Sequence, residues 1–174
     1  MPAIAFGQPT WIDEILTDME TRLATIMGFD KSRVFTSFVV PEEHCQMPTA
    51  ERFVTLQYES LNPVQASVTG GGAQHTVFDS VIAANMVTRL ATGQMTSDAN
   101  TIRDGALGVS RDLKALCSAV QVWANIVGTK SRFKEPSRLL SARLNPRKTP
   151  AGWSVSQVRI QVVFVAELKA EGGL

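Results

Sequence analysis

Val155-Ser156-Gln157-Val158-Arg159-Ile160-Gln161-Val162-Val163-Phe164-Val165-Ala166-Glu167-Leu168 decides how this chain folds. Val158, Ile160, Val162, Phe164, Ala166 and Leu168 recur at every second position, while Gln157, Arg159 and Gln161 fall between them. Side chains alternate across a strand, so this pattern predicts a long strand with one face on a core and the other turned away from it. Upstream, Leu139–Leu144 makes a partner arm, and Asn145–Gly152, with Pro146, Pro150 and Gly152, makes the bend. The C-terminal third therefore reads as a long β-hairpin, followed by a tail, Lys169–Leu174, expected to fray.

Two helices are needed to cover such a strand. In the first, expected over 10–27, Ile12, Leu16, Met19, Leu23 and Ile26 step by four and three, so they share one stripe. Thr10 with Asp13 provides an N-terminal cap, and Asp13, Glu14 and Asp18 complement the positive end of the helix dipole. Gly28 suits a left-handed C-cap. In the second, about 98–127, Ile102, Ala106, Val109, Leu113, Leu116, Val120, Trp123 and Val127 repeat the spacing over seven turns, a core stripe. Gly105 and Gly108 either split off its first turns or permit a close approach to the sheet, and Gly128 ends it.

Between the helices, Arg33–Val40 and Arg52–Glu59 read as short strands with Val34, Thr36, Phe38 and Val40 on one face and Val54, Leu56 and Tyr58 on another. His75–Leu90 fits a helix stripe through Phe78, Val81, Ile82, Met86 and Leu90. Its β-branched content and flanking glycines favour a strand. Residues 60–75, with Asn62-Pro63 and Gly70-Gly71-Gly72, read as a flexible arm or wide bend. The expectation is one α+β domain over 1–174: a mostly antiparallel sheet packed by two amphipathic helices, ending in the long hairpin. Extended loops are expected at about 60–75 and 128–153.

Composition narrows the function. The chain has 174 residues, 44% of them hydrophobic, too apolar for a disordered chain. Its longest apolar run, Val162–Ala166, is far short of the roughly 20 residues of a spanning helix. No Lys or Arg precedes Arg22, so a secretory start is not expected. Two cysteines, Cys45 and Cys117, make neither a disulfide framework nor a zinc cluster. A soluble protein of a reducing compartment, meeting no membrane, is expected.

Catalysis finds little to stand on. The two histidines, His44 and His75, fall at loop or loop-edge positions, and His44-Cys45 has no second ligand pair at metal spacing. Ala-Gln-His follows Gly70-Gly71-Gly72 where a phosphate-cradling loop needs a Lys-Ser/Thr pair, so no phosphate site is expected there. Asp79, Asp98, Asp104 and Asp112 are conceivable acid–base partners, but Asp98 and Asp104 read as cap and exposed-face residues. No enzyme, cofactor or metal is expected.

Charge placement says more than the formal net of +1. Residues 1–60 hold nine acids and four bases, with Glu42, Glu43 and Glu51 among the acids. The segment 130–148 holds Lys130, Arg132, Lys134, Arg138, Arg143, Arg147 and Lys148 against Glu135 alone. The bland reading is a solvated loop. The functional one is a surface that meets an acidic neighbour, either nucleic acid, with Phe133 and Trp153 as stacking platforms, or the acidic end of another copy.

The element order, with Arg33-Val34-Phe35, Pro48 to Leu56, the Gly70-Gly71-Gly72 arm and Val155–Leu168, resembles the tail terminator and neck (head-tail joining) proteins of tailed bacteriophages. The resemblance implies a structural protein of the virion, a homohexameric ring that caps the tail tube and joins it to the head connector. Its partners would be its own copies, the tail tube protein and the connector or neck proteins, with DNA passing through the ring without specific recognition. It implies assembly in the host cytoplasm and residence in the virion. A nucleic-acid-associated factor using 130–148 is the alternative.

Ile160→Asp or Phe164→Asp should abolish soluble expression, because an unpaired charge on a buried strand face costs several kcal/mol, a large share of a domain's stability. Soluble, folded protein from either variant would show that the facing of the last strand is misread.

Overall fold

The computed structural model describes residues 11–37, 51–68, 74–90, 99–127, 133–144 and 152–168. Helix α1 (Trp11–Met27) leads through a 3-10 turn (Lys31–Arg33) to β1 (Val34–Thr36). Then come β2 (Arg52–Val68), β3 (Gln74–Arg89), helix α2 (Ala99–Val127), β4 (Arg138–Leu144) and β5 (Trp153–Leu168). The strands form one sheet in the order β1-β2-β3-β5-β4. Only the short β1 pairs in parallel, with β2; the other three pairings are antiparallel. The fold is α+β, with β4 and β5 paired as the C-terminal hairpin.

Both helices lie on one sheet face. Leu16, Met19, Leu23 and Ala24 of α1 and Leu116, Ala119, Val120, Trp123, Ala124 and Val127 of α2 are buried with Val54, Leu56, Ile82, Ala84, Met86, Val158, Ile160, Val162 and Phe164. The 3.6-residue stripe and the two-residue alternation meet in this layer, where apolar burial contributes about 25 cal/mol per Å2. Trp123 is fully buried, and its indole N–H donates to Asp18 across the helix pair at 3.1 Å. Asp18 also pairs with Arg22 one turn on, at 2.9 Å. At the end of α1 Gly28 has φ 66°, and Gly28 N–H and Phe29 N–H return to the Thr25 and Ala24 carbonyls, closing the helix as its glycine predicts.

A second clamp joins α2 to the sheet. Asp112 is only 5% exposed; it accepts from the Thr88 hydroxyl at 2.8 Å and pairs with Arg52 at 3.0 Å. Asp112 lies three residues after Val109 and four before Leu116, on the apolar stripe itself, which makes its burial intelligible.

Several expectations change. Residues 60–75 are largely strand: β2 continues to Val68 and β3 begins at Gln74, leaving 69–73 outside the described residues. The strand absorbs Asn62-Pro63 through irregularities between Tyr58 and Ser60 and between Pro63 and Gln65. Bulges are where a sheet tolerates proline. The stretch 75–90 is a strand, with His75 paired between Ser67 and Glu167 rather than lying in a loop. Strand β1 covers Val34–Thr36, and residues 38–50 lie outside the described ones, as do Thr10 and Gly128. Thr36 is exposed instead of sharing the buried face of Val34, and it donates to Glu20 of α1. Ala106 is exposed on α2, and the helix runs unbroken through Gly105 and Gly108. The segment 128–153 contains β4, and ahead of it Phe133 bridges to Phe164.

A Cβ at Gly108 meets no atom within 4 Å. Gly108→Ala should therefore stabilise the chain by about 0.4–1 kcal/mol, chiefly through the unfolded state. Asp112→Ala should destabilise it by about 1–3 kcal/mol by stranding the Thr88 hydroxyl and the Arg52 contact. Thermal melts read both; an unchanged melt for Asp112→Ala would remove the clamp.

Candidate assembly interface

The face away from the helices is built from side chains between those of the core. In β5 these are Val155, Gln157, Arg159, Gln161 and Val163; in β3 they include Asp79, Ala83, Asn85 and Val87. At one end Phe53, Val87 and Val155 are buried with Phe35 and Trp153 against them. The Phe35 and Phe53 rings stack at 5.8 Å, and Trp153 meets Phe53 edge-on at 6.1 Å.

Beside this cluster a polar row crosses four strands. Thr55, Asn85, Gln157 and Arg143 are successive register partners from β2 to β4. The Asn85 amide donates to Thr55 at 3.5 Å, the Gln157 amide donates to Asn85 at 2.8 Å, and Arg143 Nε donates to Gln157 Oε1 at 3.1 Å. Asn85 and Gln157 are 0% and 1% exposed. Gln157 thus faces away from the helices as its alternation implies, but it is buried and fully engaged. A buried amide left without partners would cost more than its bonds return, so the row holds together as a unit.

A second row follows four residues along β5. Gln161 donates to both Asp79 oxygens, at 2.9 and 3.0 Å, and accepts from Arg138 Nη2 at 3.0 Å. Between the rows Arg159 pairs with Glu59. An irregularity between Leu139 and Ser141 turns Leu139 to the core while bringing Arg138 and Arg143 to the same outer face.

Of the sequence-derived interface residues, Arg138, Arg143 and Lys134 are exposed on or just before β4, and Glu51 is exposed just before β2. Lys130, Arg132, Arg147, Lys148, Glu42 and Glu43 lie outside the described residues. Strands β3 and β5 separate Glu51 from β4, so within one chain the acid does not meet the bases. Among the described residues no carboxylate pairs with Arg138, Arg143 or Lys134. Gln157, Gln161 and Asp79 were not legible as interface residues; the one available signal is the four-residue spacing of the glutamines about Arg159.

Val64, Val77, Asp79, Lys134, Glu135, Gln161 and Val163 line an open groove of about 500 Å3 on this face. A neighbouring recess of about 400 Å3 runs past Pro136 to Arg138. Val64 is 64% exposed at the groove.

No protein-family model matches the chain, and no curated protein matches it. Among solved structures it is similar to a chain described as "Virion of native gene transfer agent (GTA) particle", at 19% identity and a TM-score of 0.33, covering 84% of each chain. A likeness at that level carries no argument about role.

Other chemistry is sparse. Among the described residues no three His, Cys, Asp or Glu side chains group to hold a metal, and no described helix is long and apolar enough to cross a membrane. Burial pushes the Cys117 thiol above its usual range, opposed by a backbone hydrogen bond. The thiolate is the reactive form, so Cys117 in the folded chain should alkylate more slowly at neutral pH than after denaturation. Equal rates with a thiol reagent would show that its site is open. Phe133 packs on the core and Trp153 on Phe53, so both proposed stacking platforms are engaged inside the chain.

Proposed function

We propose that this is a structural virion protein of a tailed phage, a ring-forming tail terminator or neck component that caps the tail tube and joins it to the head connector. The observation that carries the reading is charge left unpaired at a sheet edge. Arg138 and Arg143 stand on β4 with amide partners only, in a chain whose first sixty residues hold nine acids against four bases. A head-to-tail ring needs two unlike, complementary surfaces on each subunit, and this distribution supports such a pair. The element order that resembles terminator and neck proteins supports the same reading, with no catalytic centre assigned. Nucleic-acid binding through 130–148 is the weaker reading, because its aromatic platforms are used for packing.

Light scattering and negative-stain microscopy of the purified chain should find a closed oligomer, expected to be six copies. A monomer at every concentration would overturn the ring. Reversing Arg138, Arg143, Arg147 and Lys148 to Glu should block assembly; because Arg143→Glu also strands the buried Gln157 oxygen at about 1–3 kcal/mol, a thermal melt of the variant must still show a folded monomer. Reversing Glu42, Glu43 and Glu51 to Lys in the same chain should restore part of it. By contrast, the triple variant His44→Ala, Cys45→Ala, His75→Ala should assemble normally. Intact rings that fail to join heads to tails would give that set a chemical role.

A further inference from the structure

We propose that Arg138 and Arg143, held by Gln161 and Gln157, form a two-point receptor for carboxylates of a second copy of this chain. The proposal rests on the self-assembly reading and adds to it the contacting groups and two positioning residues.

The glutamines make the difference. A neutral amide oxygen fixes an arginine's direction without cancelling its charge. Arg159, two residues from each holder on the same face, shows the opposite case: Glu59 takes up its charge within the chain. Arg143 gives only Nε to Gln157, and Arg138 gives only Nη2 to Gln161, so each keeps further guanidinium donors on an exposed face. Guanidinium donors lie in a rigid fork that matches a carboxylate. Both holders are themselves anchored, Gln157 by buried Asn85 and Gln161 by the Asp79 carboxylate. Their separation by four positions sets the two holders about 13 Å apart along the strand.

The surroundings select the partner. Asp79, Lys134 and Glu135 line the groove beside Arg138, over Val64, Val77 and Val163. A nucleic-acid backbone, negative at every step, would be repelled by Asp79 and Glu135. A protein segment with spaced acids and apolar residues matches both the charges and the valines. The first sixty residues of another copy carry that character: of their nine acids Asp18, Glu20 and Glu59 are engaged within their own chain, while Glu51 is exposed.

Sedimentation of the full chain tests this. Arg138→Ala and Arg143→Ala should each raise the self-association Kd about tenfold, as expected for loss of one charge-assisted contact. Lys at either position should recover only part, lacking the fork. Gln161→Leu should weaken association in the natural chain and add nothing once Arg138 is Ala, while its effect on the melting temperature is the same in both backgrounds. A merely structural glutamine would weaken association equally in both. An associating chain indifferent to both arginines overturns the receptor and leaves the ring reading standing; a monomeric chain overturns both. Duplex DNA bound at low salt and released by the same arginine substitutions, with self-association unchanged, overturns the choice of a second copy.

Discussion

The antiparallel pairing of β3 with β5 is the constraint on which everything else depends. Each residue of β3 has a partner, from Gln74 opposite Leu168 to Arg89 opposite Trp153, without interruption. Side chains alternate with a period of two, so a slip of β5 by one residue would send Ile160 and Phe164 to the outer face and Gln157 into the helix layer. Each half of that exchange is unfavourable: apolar area returns to water, and amides enter a region with no partners. The same register that seals the core therefore also assembles the polar rows.

Those rows carry order outward from the centre of the sheet. Asn85 and Gln157 sit on the two central strands, and their bonds end at Arg143 on the edge strand. Bulges do the remaining adjustment. In β2 they accommodate Pro63, and in β4 an extra residue lets Leu139 reach the core while Arg138 and Arg143 share the other face. Asp112 and the Asp18–Trp123 contact work in the same way on the helix side, each spending a carboxylate to satisfy a buried donor.

The fold was largely legible because its signals were long. The α2 stripe and the β5 alternation each extend well past the length at which chance repeats compete, and β-branched residues settled the 75–90 stretch against its helical stripe. The misreadings came from local signals that pairing overrode. Asn62-Pro63 and the glycines suggested a loop from residue 60, yet β3 offered β2 a partner strand and bulges absorbed the proline. Ala106 matched the stripe by spacing, yet it is exposed while Gly105 and Val109 nearby on the same helix are buried. Alternation tells which face a residue takes, not whether that face is wet, and Gln157, turned away from the helices, is nonetheless buried. The basic segment was plain from composition. That its two described arginines are aimed by glutamines depends on register across three strands, which no single stretch contains.

Among the described strands β4 is an edge, and edges must be guarded against pairing with any passing strand. Charged residues and a bulge are the usual guards, and β4 has both, with Arg138 and Arg143 flanking its irregularity. The same residues that deter indiscriminate edge pairing make a selective contact favourable, because only a surface presenting carboxylates at the matching spacing repays their desolvation. A chain of net charge +1 has no overall repulsion or attraction to drive association, so selectivity must come from such placed charges. When the two complementary surfaces differ, every open array leaves one of each unfilled, and a rotation that closes the ring fills both. Glu51 and strand β4 are held apart by β3 and β5, and the proposed ring would need such a separation for one chain to carry both halves of that contact.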